Sequence, residues 1–490
     1  MTRTLLAGKW IEAGESFEVQ NKFSGRVIDN VPLCAEAHVD LALASAERSA
    51  RVMENMAAYK RAEILEMAAR KIEADAPSLE STIVAEAGIP LRQARAEVKR
   101  SIVMLKFSAE ESKRLSGETI PFDAQTRGSD RYGYFLRKPV GIVAAIIAFN
   151  GPFLLACRKI GAAIAAGNAA LLKPASATPL SAIKFAEVML DAGLPAEALH
   201  VLTGKGAILG RRLVGDARVR VVSFTGGAEA RADVAKHVGL TRLVMELGSI
   251  CPTIVMDDAQ QELALECLPE ASFALAEQNC IRPQRLFVQE RIYSEFVGDF
   301  VERTSKLVVG DPSLERTDIG PLISEREAVR VEAWVREAEE TGAKILIGGR
   351  RDGSIYHPTI LTDCPSNTRV VQQEIFGPVV VVEKFSSLDE AIAKSNSTTY
   401  GLQAGIFTQN IDVAYRAVNE LNFGGVLVND TSDFNSDLMP FGGNKQSGIG
   451  REGVRWAVQE MSDLRTVIYR IPRPDRELAS ALSGLMHVRE

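Results

Sequence analysis

The chain has 490 residues, 46% of them hydrophobic and 24% charged, with a formal net charge of −6 and a pI near 5.7. That length exceeds one core and implies two or three domains, and the acidic balance offers no basic face to nucleic acid or an anionic membrane. No apolar run approaches the roughly 20 residues of a membrane span, and the polar start, Met1 to Trp10, lacks a signal-peptide core, so a cytoplasmic protein is expected.

Residues 5–30 alternate short apolar runs with Gly and Asn, which predicts a small edge sheet. From about residue 39 to 115 the period becomes helical, broken at Gly88-Ile-Pro90. The stripe Ile64, Met67, Ala68, Ile72 reads as core packing. Residues 131–137 alternate as a half-exposed strand does. The continuous apolar run 140–149, closed by Asn150-Gly-Pro152, reads as a buried parallel strand. Helices and strands then alternate. A helix runs to about 166, a strand follows at 169–172, and Lys173-Pro174 ends it. A helix at 180–192, a strand at 199–203 and a helix to 214 come next. The strand 219–224, the loop Thr225-Gly226-Gly227, a helix to 237 and a strand at 242–246 complete the series. That spacing predicts a doubly wound α/β domain with a parallel sheet. Ligands of such sheets bind beyond the carboxyl ends of the strands, where Asn150, Lys173, Thr225 to Gly227 and Glu246 all stand.

A second α/β region begins near Leu247, with a strand at 253–256, a helix at 262–277, a turn holding Cys280 and a strand at 286–288. Further signals lead through 376–382 and 424–429 to a Gly-rich loop at 439–451, a helix and a last strand at 464–469. The six cysteines are dispersed with no C-x-x-C pair, and the five histidines show no ligand spacing, so neither a disulfide scaffold nor a metal site is expected.

Cys280, at a junction of two rigid elements, is either a small buried hydrophobe or a nucleophile. Gly204-Lys-Gly206 with Gly210 matches the dinucleotide fingerprint only in part; Thr225-Gly226-Gly227 is the better pyrophosphate loop, opening a helix N-terminus. Lys173 is either a solvated surface charge or a ribose or phosphate contact. Glu246, before Leu247-Gly248, is either helix-cap decoration or a general base whose pKa burial raises.

Seven motifs in order resemble the set of the aldehyde dehydrogenase superfamily: Asn150 in Phe-Asn-Gly-Pro, Lys173 in Leu-Lys-Pro-Ala-Ser, Phe224-Thr-Gly-Gly, Glu246-Leu-Gly-Ser, Gln278-Asn-Cys280, Glu374-Ile-Phe-Gly-Pro378 and Pro440-Phe-Gly-Gly443. The Glu-Leu-Gly-Ser form looks like the branch holding lactaldehyde and related small-aldehyde dehydrogenases. The resemblance implies oxidation of an aldehyde to its acid with NADP or NAD. Cys280 would form the thiohemiacetal and thioester, Asn150 would hold the oxyanion and Glu246 would activate water. Lys173, Ser176, Phe224, Thr225, Gly226, Gly227, Leu247, Glu374 and Phe376 would contact the cofactor. A CoA-acylating relative and a catalytically silent member are the alternatives; Glu246 as a base argues against the first, and the intact Cys280, Asn150 and Glu246 against the second.

The resemblance further implies a dinucleotide-binding domain of residues 1–120 and 140–246, a catalytic domain 247–448, and a bridging element of 121–139 and 449–490 in a homodimer or homotetramer. Three departures stand out. Glu277 replaces the usual Gly before the Gln of the cysteine turn, where its charge would alter the thiol or the packing of the loop. Ser176 replaces the Glu of NAD-preferring members, which leaves a 2′-phosphate unrepelled and open to Lys173. Gly151 leaves room for a larger or aromatic aldehyde, and Arg282 would serve either an anionic substrate or a structural ion pair.

Overall fold

Two sheets organise the computed structural model, which describes residues 2–470. In the first, six strands lie in the order Gly448–Ile449, Arg242–Leu247, Val221–Gly226, Ile142–Ile146, Ala169–Lys173 and Leu199–Val201. Five are parallel and the Gly448–Ile449 edge is antiparallel. The apolar run expected at 140–149 forms a strand only over Ile142–Ile146, and Thr225 and Gly226 belong to a strand rather than to the loop after it. Parallel strands are covered on both faces, and every residue of Ile142–Ile146 and Ala169–Lys173 is buried.

The helix Pro152–Ala166 is apolar almost all round and buried along nearly its whole length. It packs against Leu91–Arg114, Leu180–Asp191 and Val454–Glu460. Gly88, at φ 74, ends the helix Ala76–Ala87 in the left-handed conformation that glycine adopts without penalty. Ile64, Ala68 and Ile72 enter the core as expected; Met67 is exposed, because its place one turn after Ile64 lies on the far edge of that stripe.

The second sheet has seven strands, in the order Lys344–Ile347, Thr359–Thr362, Val379–Phe385, Pro283–Gln289, Cys251–Val255, Gln403–Phe407 and Gly425–Val428, parallel except for the first. A third, antiparallel sheet pairs Ser462–Arg470 with Arg131–Pro139 and Glu118–Ile120. Two antiparallel pairs near the N-terminus, Thr4–Leu6 with Lys9–Ile11 and Ser16–Gln20 with Val27–Pro32, form the expected small sheets. Residues 471–490 of the expected bridging element lie outside the described residues.

Candidate active site

Cys280 stands between the helix Gln261–Phe273 and the strand Pro283–Gln289. The helix stops at Phe273, short of the 277 expected, because the chain then turns left-handed: Leu275, Ala276 and Glu277 have φ of 58, 50 and 56°. Each such residue costs about 1–2 kcal/mol, so something must hold the turn. Glu277 does so. Its buried carboxylate accepts a hydrogen bond from the Val379 N–H at 2.8 Å and faces Arg282 Nε at 3.3 Å. Arg282, fully buried, donates to the Asn279 carbonyl at 3.2 Å and to the Gln284 side chain, with Glu374 at 3.9 Å on its other side. Arg282 is thus the structural ion pair rather than a substrate contact, and Glu277 acts on the packing of the loop.

Two cavities meet at the thiol. One, of about 410 Å³, is lined by Asn150, Lys173, Ser176, Phe224, Thr225, Gly226, Gly227, Glu246, Leu247, Cys280, Glu374 and Phe376. All twelve residues assigned from the sequence therefore face one space. The other, of about 320 Å³, shares Asn150, Thr225, Glu246 and Cys280 with it and extends to Arg100, Arg158 and Phe441.

The first cavity has the features of a dinucleotide site. Gly226 ends a strand and Gly227 precedes the helix Ala228–His237, whose N-terminal N–H groups favour phosphate. A Cβ on Gly227 would meet open space, whereas one on Gly248 would lie 1.9 Å from the Glu374 carboxylate. Glu374 accepts from the Ser249 N–H at 3.0 Å, and Phe376 packs edge-on against Phe149 with ring centroids 5.8 Å apart. Ser176 Oγ donates to the Gly204 carbonyl at 2.6 Å. Gly206, of the partial fingerprint, also lines the cavity. Asn150 Oδ1, Thr225 Oγ1 and Glu246 Oε1 are buried without a protein partner; native interiors leave few such atoms, so these three are what a bound ligand or water satisfies.

Burial sets the protonation states. It pushes the Cys280 thiol well above the ordinary thiol range, and the adjoining Glu246 carboxyl adds to the effect. Glu246 is itself pushed up to about 8, first by burial and then by the nearby Glu452 carboxylate. Lys173, buried and donating to the Pro174 carbonyl at 2.6 Å, is lowered to about 8. A thiol and a carboxyl in contact, both protonated at rest, form a pair through which a proton can pass to water.

Sequence reasoning missed Arg100, Arg158 and Asp433 of the smaller cavity. The first and last carry no signal by themselves. Arg158-Lys159 does: two cations inside a helix otherwise made of apolar residues must be paired or functional.

A family model described as "Aldehyde dehydrogenase family" matches residues 10–467. The chain is 41% identical to the 3-sulfolactaldehyde dehydrogenase of Priestia aryabhattai, over 95% of this chain and 97% of the relative. It is 38% identical to the lactaldehyde dehydrogenase of Methanocaldococcus jannaschii, over 94% and 98%. Its fold is similar to that of the glyceraldehyde-3-phosphate dehydrogenase GapN of Methanocaldococcus jannaschii complexed with NADP, with a TM-score of 0.90, 38% identity and coverage of 93% and 99%.

Proposed function

The chain belongs to the aldehyde dehydrogenase family and oxidises an aldehyde to the carboxylic acid with NAD(P)+, and we propose that Cys280, Asn150 and Glu246 carry the reaction on short, oxygenated aldehydes. The observation behind this reading is that these three residues, with Thr225, are the groups common to both cavities.

The sulfur of Cys280 adds to the carbonyl carbon as its proton passes to Glu246, which releases one to water. The oxyanion of the resulting thiohemiacetal takes hydrogen bonds from the Asn150 amide and the Cys280 backbone N–H, each worth roughly 3–4 kcal/mol in such sites. The larger cavity would hold NAD(P)+, which when bound would accept the hydride, so that Cys280 is left carrying a thioester. Glu246 then takes a proton from the water that hydrolyses it. Glu374 and Phe376 would hold the nicotinamide end, Thr225, Gly226, Gly227 and Leu247 would line the approach to the phosphates, and Lys173 and Ser176 would contact the adenosine ribose. With Ser176 in place of a carboxylate, a 2′-phosphate meets no negative charge, so NADP is accepted as well as NAD.

The proposed domains are 1–120 with 140–246 for the dinucleotide, 247–448 for catalysis, and 121–139 with 449–490 as the bridge; the two principal sheets support the first two, while the edge Gly448–Ile449 crosses back to the first sheet. The exposed Leu464, Ile468 and Tyr469 on the edge strand Ser462–Arg470 favour a homodimer or homotetramer. Among the described residues no helix is long and apolar enough to cross a membrane, and the acidic chain suits a cytoplasmic setting.

The test is NADPH or NADH formation from lactaldehyde and other short aldehydes without added CoA, with Cys280→Ala alongside. Turnover by the wild type alone is expected. Turnover only with CoA, or equal rates from Cys280→Ala, would overturn the reading.

A further inference from the structure

The smaller cavity carries charge that this chemistry does not use. The helix Leu91–Arg114 turns Gln93, Ala96, Glu97 and Arg100 toward it, one face at i, i+3, i+4 and i+7 spacing, and Arg158 meets it from the helix Pro152–Ala166. Arg100, partly exposed, holds Asp437 through Nε at 3.1 Å and Nη2 at 2.6 Å. Asp437 also accepts from Arg158 Nη2 at 3.3 Å; Glu452 accepts from Arg158 Nη1 at 3.4 Å and Lys159 Nζ at 2.5 Å. Three cations thus share two carboxylates, and one positive charge is uncompensated. In a partly dry cavity such a charge is costly unless paired.

The other acids on the wall do not supply the missing charge. Burial pushes Asp433 and Glu246 up to about 8, so both are largely protonated at neutral pH. Glu97, raised to about 7, directs its ionised fraction at the Phe153 and Leu154 N–H groups, whose helix N-terminal partial charge it offsets. Arg158 Nε is buried and has no partner. The volume of 320 Å³, near the lower limit for ligand pockets, restricts what enters to a short chain.

We propose that Arg100, backed by Arg158, seats a single negative charge at the far end of the substrate, so that the aldehydes oxidised are short chains bearing a terminal carboxylate or sulfonate. The proposal rests on the aldehyde-oxidising reading above and names its substrate class. Arg100 is a specificity-determining residue: it touches the distal anion and takes no part in the bond changes at Cys280.

The experiment compares matched aldehydes: butanal (neutral), 4-oxobutanoate (carboxylate), 3-oxopropane-1-sulfonate (sulfonate) and 4-aminobutanal (cation). The wild type is expected to favour at least one anion over butanal by tenfold or more in kcat/KM and to disfavour the cation, the two anionic arms telling carboxylate from sulfonate. Arg100→Gln should raise KM for the preferred anion about 10- to 100-fold, the worth of a hydrogen bond to a charged group. The loss should fall at least tenfold more heavily on the anions than on butanal and on KM more than kcat, and Arg100→Lys should recover part of it. Equal use of butanal by the wild type, or an Arg100→Gln loss that strikes butanal as hard as the anions, would overturn the seat while leaving aldehyde oxidation intact. Failure to oxidise any of the four aldehydes would overturn both.

Discussion

Glu246 illustrates how much of the residue scale depends on surroundings. On the sequence it is one carboxylate at a strand end; in the structure it is buried beside Cys280, with Oε1 unpartnered and its pKa pushed up to about 8. As a base it must be ionised, so hydrolysis of the thioester should rise with pH through about 8 and level off above it. Glu246→Gln is expected to remove that rising limb and lower steady-state turnover about 10²- to 10⁴-fold. One burst of NAD(P)H equal to the enzyme concentration should remain, because the thiol is intact, but it should be slower than in the wild type, because the proton route from the thiol is lost. Stopped-flow and steady-state rates across pH read both effects; an unchanged pH limb in the variant would remove Glu246 from the role. The role of Cys280 was legible only through the ordered motifs elsewhere in the chain, and the ion pair that supports its turn was not legible at all. Leu275, Ala276 and Glu277 have no intrinsic preference for positive φ, and only the buried contacts of Glu277 with Arg282 and the Val379 N–H explain why they adopt it.

At the scale of elements the molecule repeats one device. The helices Pro152–Ala166 and Leu180–Asp191 start at Gly151 and Pro179, neither of which caps with a side chain. Their first N–H groups are satisfied from earlier helices instead. Glu97 accepts from Phe153 and Leu154 at 2.9 and 3.0 Å, and Glu86 accepts from Leu180 and Ser181 at 2.7 Å each. Burial raises both carboxyls to about 7. Since the folded state binds these protons more tightly, the stabilisation is whole below about 4.5 and is lost as pH rises toward 7, on the order of 3 kcal/mol for each group. The thermal midpoint should therefore fall over that window. Glu97→Gln, which keeps the accepting oxygen, should flatten the fall; an identical slope in the variant would refute the assignment. The helices themselves were legible because their apolar runs are long. Their caps were not, because Glu97 lies 56 residues before the N–H it serves.

For the whole molecule, the strand-end rule brought Asn150, Lys173, Thr225, Gly226, Gly227 and Glu246 to one cavity, and the family resemblance added Glu374 and Phe376 to it. In the smaller cavity the rule reached only the shared end, Asn150, Thr225 and Glu246; Arg100, Arg158 and Asp433 come from three separate stretches and meet only through tertiary packing. Because the larger cavity is walled by both principal sheets, a bound dinucleotide ties them together. Saturation at 100 times Kd should add about 2.7 kcal/mol of stability, read as a raised thermal midpoint. Ser176→Glu should shrink that rise for NADP and spare it for NAD; equal loss for both would remove Ser176 from the ribose site. The junction of the two cavities has one more consequence. The sulfur sits in a partition with a doorway on each side, so the two reactants need not queue for a single entrance. Under the proposed mechanism an acyl group on Cys280 would fill the smaller cavity only, leaving the larger one open to the nucleotide.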